Sequence, residues 1–271
     1  MTRRQLDAEL VRRGLVATRS EAQAAVRDGL VLVGGLPAPK ASTLVEAGEP
    51  VELVGPARRF VSRGGEKLDA AIDRFGIEVA GRACLDAGAS TGGFTDCLLA
   101  RGARHVVAVD VGYGQLAWSL RSDERVTVLD RTNIRNLSVG DLPYASQLVV
   151  ADLSFTSLRL VVPVLGELAT DAADLLLLIK PQFEAGPADV GRGGVVRDEA
   201  VWARCIERVE TACREAGLMP VGVMASPLLG LAGNAEFPLH ARKGAAAGEP
   251  DLAAAIEEGR ALVAAGSGQE A

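Results

Sequence analysis

The sequence predicts an α/β protein: a mostly parallel sheet with helices on both faces, preceded by a small α+β module. Three observations carry that prediction. Between about 67 and 240, apolar strand-like runs alternate with helical patterns. The first of those runs ends in Asp86 and opens directly into a glycine-rich turn, CLDAGASTGGFT at 84–95. Residues 1–60 differ in kind, with short helices, a Gly-Gly turn and a local excess of arginine.

The 271 residues leave room for one large domain and one small one, and 48% hydrophobic content supports a real core. The net charge of −6 excludes nucleic-acid binding driven by overall charge, though not a local basic patch. Cys84, Cys97, Cys205 and Cys213 form no C-x-x-C pair, and the histidines are His105 and His240. No metal site is expected, and the thiols read as reduced and buried, as in a cytosolic protein. The N-terminal MTRRQLDAEL has charges without an apolar segment behind them, so no signal peptide is read there. The most apolar stretch, 158–180, is interrupted by Glu167, Asp171 and Asp174, which argues against a membrane span. The expectation is a cytoplasmic protein with no membrane partner.

The N-terminal module is read in order. Leu6, Leu10 and Val11 have helical spacing and Gly14 stops that helix. Ser20 is a candidate cap for a second helix, which Gly29 ends. LVLVGGLPAPK reads as strand, Gly-Gly turn and strand, and VEAGEPVELV adds a further turn and strand. Arg3, Arg4, Arg12, Arg13, Arg19, Arg27, Lys40, Arg58 and Arg59 face Asp7, Glu9, Glu21, Asp28, Glu46, Glu49 and Glu52. Residues 1–60 are therefore at +2 and the remainder of the −6 chain carries −8. Arginine suits forked phosphate contacts, although scattered arginines are also what a solvated helix face shows.

The run at 3–35 resembles the S4 RNA-binding domain, through Leu6-Asp7, Arg13-Gly14-Leu15, Arg19-Ser20 and Gly29-x-Val31-x-Val33. Gly34-Gly35 stands where such domains more often carry Asn-Gly, and either pair serves a tight turn. The resemblance implies that the first two helices face structured RNA, with Arg3, Arg4, Arg12, Arg19, Arg27 and Lys40 as the expected contacts. The polar, glycine-containing junction ARRFVSRGGE, 57–66, sets the boundary: 1–60 is one domain and 67–271 the other.

In the second domain the strand candidates are 82–87, 105–110, 125–129, 147–152, 174–180 and 218–225. Leu98, Leu99 and Ala100 begin the helix after the glycine-rich turn, and 241–271 reads as a weak helix and a frayed tail. Strand, glycine-rich turn and helix N-terminus is the arrangement that holds a nucleotide-like ligand. Asp86-x-Gly88-x-x-x-Gly92 departs from the dinucleotide spacing Gly-x-Gly-x-x-Gly. The next strand ends in Asp110, placed to take both hydroxyls of a ribose, which suits NAD and S-adenosylmethionine alike. Asp130 ends the third strand near the expected base pocket, and Asp152 ends the fourth over the centre of the site.

The turn followed by three strand-end acids resembles a class I S-adenosylmethionine-dependent methyltransferase, a Rossmann-like fold. That resemblance implies S-adenosylmethionine as cofactor. Its expected contacts are Asp86, Gly88, Ser90, Thr91, Gly92, Gly93, Phe94, Asp110, Val111, Asp130, Arg131 and Asp152.

Lys180 follows five apolar residues in LLLLIKPQFE, where burying an ammonium is costly without a partner. Asp152 and Lys180 could be an ion pair capping adjacent strands, Lys67 a solvated helix start and Glu236 a loop carboxylate. In the order Lys67, Asp152, Lys180, Glu236 they resemble the tetrad of FtsJ-type ribose 2′-O-methyltransferases. The resemblance implies catalytic roles for all four: Lys180 contacting the 2′-hydroxyl, Asp152 orienting it, and Lys67 and Glu236 setting its charge state and binding the ribose. DLSF, where amine methyltransferases carry an Asn/Asp-Pro-Pro-Tyr/Phe motif, argues against that chemistry.

SRGGEKL, DVGYGQLAWSLR, DRTN, ADLSF, KPQFE, GGVVRD and ASPLLGLAGNAEF complete a close resemblance to the TlyA family. It implies rRNA (cytidine-2′-O)-methyltransferase activity on 16S RNA, 23S RNA or both, a link to capreomycin- and viomycin-type sensitivity, ribosomal subunits as partners and a monomeric enzyme. Phe60 replaces the tryptophan of the family's Arg-x-Trp-Val linker, and its packing role is expected to survive. The family's haemolysin label suggests a membrane-active cytolysin, but no strongly amphipathic basic helix is evident. A catalytically dead RNA-binding module would not need the four charged residues.

Overall fold

The computed structural model describes residues 3–267 apart from 17, 28, 55–58 and 247. The chain divides into two compact units, Met1–Arg58 and Arg59–Ala271. Asp28 and the linker residues Ala57 and Arg58 lie outside the described residues.

The first unit runs β1 (Arg3–Gln5), α1 (Leu6–Arg12), α2 (Arg19–Arg27), β2 (Val31–Val33), β3 (Leu36–Pro37), β4 (Leu44–Glu46) and β5 (Val51–Leu53). β2 pairs antiparallel with β3 and β5, and β1, absent from the sequence reading, pairs with β4. Leu6, Leu10, Ala22, Ala25, Val31 and Val45 form its core. Gly34 and Gly35 turn β2 into β3 at φ +59° and +81°, the left-handed pair a two-residue hairpin needs. The capping role expected of Ser20 concerns a side chain outside the described residues. Its backbone already lies in α2, and the Thr18 hydroxyl accepts the Glu21 N–H at 3.2 Å.

The second unit is an α/β sandwich. Its elements are α3 (Arg63–Phe75), β6 (Ala83–Ala87), α4 (Gly93–Ala100), β7 (His105–Val109), α5 (Trp118–Arg121), β8 (Val126–Leu129), β9 (Ser146–Ala151), α6 (Val162–Leu168), β10 (Ala169–Ile179), α7 (Pro181–Glu184), α8 (Glu199–Glu215), β11 (Leu218–Val223), β12 (Phe237–Lys243) and α9 (Leu252–Ser267). Seven strands lie in the order β11-β12-β10-β9-β6-β7-β8. β10, β9, β6, β7 and β8 are parallel, and β12 runs antiparallel between β10 and β11. This is the class I methyltransferase architecture.

The apolar runs explain the sheet. Leu175, Leu177 and Ile179 pack with Trp202, Ile206 and Val209 of α8 on one face, whereas Leu176 and Leu178 pack with Leu68, Ile72 and Leu98 on the other. A strand covered on both faces has no polar side to show, so its sequence reads as a continuous apolar run. Each such side chain contributes about 1.5–3 kcal/mol by burial.

Two expectations change and a third is sharpened. β10 begins at Ala169 rather than 174, with a register shift between Ala169 and Asp174 and Ala172 at φ +62°. β12 occupies part of what read as late loop and tail. The weak helix expected within 241–271 runs over Leu252–Ser267 and is packed against the rest of the unit: Ala255 is buried, and Glu258 accepts the Ala225 N–H at 3.0 Å and pairs with Arg74 at 2.7 Å. Gly259 lies against Phe237 and Trp202, so close that an added Cβ would sit 3.1 Å from the Phe237 ring.

Candidate active site

The carboxyl ends of β6, β7, β9 and β10 meet at one edge, where the strand order reverses between β7 and β9 on either side of β6. Such switch points leave a crevice for a ligand. Asp86, on β6, is fully buried. Thr95 donates its hydroxyl to Oδ2 at 2.6 Å and its backbone N–H also reaches the carboxylate, but Oδ1 is buried with no hydrogen-bond partner. Burial, reinforced by the charges of Asp152 and Asp110, pushes its pKa from 3.8 up to about 7 despite the Thr95 bonds. A buried carboxylate oxygen without a donor is the expected signature of a site for a cationic ligand group.

The turn after β6 is tightly wound. Gly88 takes φ +89°, and a Cβ there would collide with the Asp152 carbonyl, so only glycine lets the two strand ends approach. Ser90 holds φ +47° and donates its N–H to Asp110 Oδ2 at 2.8 Å. The Gly112 N–H donates to Asp110 Oδ1 at 2.6 Å. Each Asp110 oxygen keeps acceptor capacity beyond these bonds. Thr91 accepts the Ala117 N–H at 3.1 Å, and Gly92 and Gly93 lead into α4. The Phe94 ring is buried in the core against α3, and its backbone lies in the first turn of α4, next to the glycine-rich turn. Val111 is exposed.

Asp130 is held by Arg121 at 2.5 Å and by the Gly114 N–H at 3.2 Å. The Arg121 bond is the main reason its carboxyl sits below the usual range. Arg131, at φ +53°, stacks its guanidinium 4.3 Å from the centre of the exposed Tyr113 ring.

The four charged residues expected to act together form two ion pairs. Lys67, on α3, donates to Glu236 Oε2 at 2.5 Å, with side chains 10% and 4% exposed. Lys180, just past β10, pairs with Asp152, just past β9, and donates to Ser154 Oγ at 3.2 Å. Glu236 immediately precedes β12, whose Phe237 lies opposite Ile179, and Leu177 lies opposite Ala151. All three strand-borne charges therefore share one edge. The ion pair foreseen between adjacent strands exists, and it sits in the crevice. Phe155 follows in the same loop at φ +61°, 92% exposed, with its ring 5.2 Å from that of Phe183.

Sequence reasoning passed over the residues that hold this edge together. Asn234 is buried; it accepts the Val196 N–H and donates to the Gly194 carbonyl, both at 2.9 Å, so the GGVVRD and NAEF runs are tied. Ser154 and Thr95 contact Lys180 and Asp86. The one available signal was their place inside the runs that carry the charges. Phe60 is buried over Gly65, and the Val61 N–H donates to Asp96 at 2.7 Å.

In the first unit all six expected RNA contacts are exposed. Arg12 is bound to the buried Glu9 at 2.6 Å, Arg19 to the buried Asp7 at 2.9 Å and Arg3 to Glu46 at 3.1 Å. These three guanidiniums are positioned by carboxylates. Among the described residues, no helix is long and apolar enough to cross a membrane and no His/Cys/Asp/Glu group could hold a metal ion.

An FtsJ-like methyltransferase family model matches residues 60–243 and an S4 domain model matches 4–51. The chain is 53% identical over 241 residues to a Mycobacterium tuberculosis protein named 16S/23S rRNA (cytidine-2′-O)-methyltransferase TlyA, covering 89% of this chain and 90% of that one. It is 43% identical over 236 residues to YqxC of Bacillus subtilis, named as a candidate rRNA methyltransferase, covering 87% and 84%. A solved structure of a candidate hemolysin from Streptococcus thermophilus superposes with a TM-score of 0.78 at 35% identity, covering 100% of this chain and 98% of that one. With more than half of its length in one family model and this identity across most of a relative, the chain belongs to the TlyA family of FtsJ-like methyltransferases with an S4 domain.

Proposed function

We propose that this protein methylates the ribose 2′-oxygen of a cytidine in ribosomal RNA, with S-adenosylmethionine as donor. The observation that carries the reading is the half-buried Lys180–Asp152 pair, with the buried pair Lys67–Glu236 on the edge that also holds the orphaned oxygen of Asp86. The donor's chemistry fits the residues present. Asp86 Oδ1 suits its ammonium, the 88–93 turn its methionine part, Asp110 its ribose hydroxyls, and Val111, Asp130 and Arg131 the base side. When bound, S-adenosylmethionine supplies a methyl group made electrophilic by its sulfonium.

The rest is the work of the chain. A ribose hydroxyl is a weak nucleophile at neutral pH and must lose its proton as it attacks. Lys180 hydrogen-bonds the 2′-oxygen and stabilises its growing negative charge, and the proton passes into the Lys180–Asp152 pair. Asp152 and Ser154 hold the Lys180 nitrogen in place. Lys67 and Glu236 neutralise one another and offer a donor and an acceptor to the ribose. Phe155, exposed and backed by Phe183, gives the target base a stacking surface. The first unit grips folded RNA through Arg3, Arg4, Arg12, Arg19, Arg27 and Lys40, and the Mycobacterium tuberculosis relative's name supports both ribosomal subunits as substrates.

The test is methyl transfer from labelled donor to purified 30S subunits, 50S subunits and free rRNA. Wild-type protein transfers label, and Lys180→Ala loses about 10²–10⁴-fold in rate while still binding donor. Full-rate transfer by Lys180→Ala would remove the catalytic assignment. No transfer by wild type to any of the three substrates would remove the function.

A further inference from the structure

Glu184 ends the four-residue helix that begins just after Lys180, and it is 3% exposed. Its Oε2 accepts the Ser157 hydroxyl at 2.5 Å and its Oε1 accepts the Leu158 N–H at 2.6 Å. The partly exposed Arg159 guanidinium lies 3.5 Å from Oε2. Ser157 and Leu158 belong to the loop that leaves β9 at Asp152 and carries Ser154 and Phe155. Loop and helix are thus joined at three places: Lys180 to Asp152 and Ser154, Phe183 to Phe155, and Glu184 to Ser157 and Leu158. The first two joints involve exposed or charged groups of the crevice. At the third, Glu184 and Leu158 are themselves buried.

An apolar side chain would fill the Glu184 site without the cost of burying a carboxylate. What the carboxylate adds is a directional hold on two consecutive residues. The loop needs one, because Phe155 sits in a left-handed conformation that a bulky side chain avoids unless its surroundings impose it.

We propose that Glu184 is a positioning residue for methyl transfer: by clamping Ser157 and Leu158 it holds Ser154 and Phe155 in register with Lys180 and Phe183. The inference rests on the function proposed above. Burial raises the Glu184 pKa while the Ser157 and Leu158 bonds oppose that rise, as expected of a carboxylate kept for its acceptors.

The experiment compares wild type, Glu184→Ala, Glu184→Gln, Ser157→Ala and Val209→Ala. Val209 is a fully buried core residue of α8, and its truncation controls for lost stability. Four readouts are taken: kcat for rRNA methylation, KM for the rRNA, donor affinity by calorimetry, and amide hydrogen exchange over 153–160. Glu184→Ala is expected to lower kcat about 10–100-fold, the scale of a misplaced reacting group. It should also raise KM and speed exchange over 153–160, with donor affinity unchanged. Glu184→Gln keeps an acceptor for Leu158 and an amide for Ser157, and recovers most of kcat. Val209→Ala lowers the melting temperature and leaves kcat in place. If Glu184→Ala does not fold, Ser157→Ala carries the same test with a smaller fall in kcat. The clamp is overturned if the Glu184 and Ser157 variants keep wild-type kcat and KM, or if donor affinity falls in parallel with kcat. Failure of the wild type to methylate rRNA would instead strike the proposed function, and exchange over 153–160 would still decide whether Glu184 holds the loop.

Discussion

Replacing Asp86 by Asn should stabilise the ligand-free protein and cripple donor binding, and both effects can be scaled. The Asp86 carboxyl is fully buried, one oxygen has no partner, and its pKa is pushed from 3.8 to about 7. A carboxyl whose folded pKa lies above its unfolded value keeps a proton in the native state that the unfolded chain has already lost. Stability therefore falls as pH rises through that window and levels off above the folded pKa. At about 1.4 kcal/mol per pH unit, the group removes about 2–3 kcal/mol of stability between pH 5 and pH 8. Asn has nearly the same shape, can accept from Thr95, and does not titrate. The stability difference, Asn variant minus wild type, should grow by that amount across the interval, measured by urea unfolding without ligand at pH 5, 6, 7 and 8. Losing a charged acceptor for an ammonium should cost about 1.5–3 kcal/mol of binding, or roughly 10–100-fold in Kd. Calorimetry at pH 6 in buffers of different ionisation enthalpy should show proton release on binding by wild type and none by the variant. A stability difference that is flat with pH, or a variant that binds S-adenosylmethionine as tightly as wild type, would refute the reasoning.

Breaking the Lys67–Glu236 pair by either Lys67→Ala or Glu236→Ala should cost about 3–5 kcal/mol of stability, because the remaining charge is buried alone. The double variant Lys67→Met/Glu236→Leu should recover much of that stability in thermal melts without recovering methyl transfer. Phe155→Ala should leave the melting temperature unchanged, since the ring is 92% exposed, and weaken productive RNA binding by about 1–3 kcal/mol, read as a higher KM for rRNA. Arg4→Ala should weaken rRNA binding and lower the salt-dependence slope by about one, leaving the first unit's stability intact. Arg19→Ala should do the same and also lower that unit's melting temperature, because Arg19 neutralises the buried Asp7.

The inner parallel strands β10, β9, β6 and β7 could be read directly because they are covered on both faces, so burial leaves an unbroken apolar run such as Leu175–Ile179. β12 gave no such signal. FPLHARK contains proline, histidine, arginine and lysine, and it forms a strand because β10 and β11 leave an antiparallel slot between them. α9 was legible only as a weak helix: an Ala- and Gly-rich segment has little helical amphipathicity to see, and its packing, with Gly259 against Phe237 and Trp202, showed only in the structure. Lys180 and Asp152 stood out in the sequence because each is a charge ending an apolar run. Glu184 and Asn234 did not, because their importance lies in backbone groups of distant loops that no spacing rule links to them.

Taken alone, the sequence determined the alternation of strands and helices, the distinct character of residues 1–60, and the strand-end positions of Asp86, Asp110, Asp130, Asp152 and Lys180. These are local properties: periodicity, glycine spacing and the place where an apolar run stops. Tertiary structure alone decided the partners. It brought Lys67 to Glu236 across 169 residues, left one oxygen of Asp86 without a donor, turned Phe94 into the core and tied Arg12 and Arg19 to buried carboxylates. A charge's partner depends on which strands lie side by side and which atoms lose water when they do. Both are set by long-range packing rather than by distance along the chain.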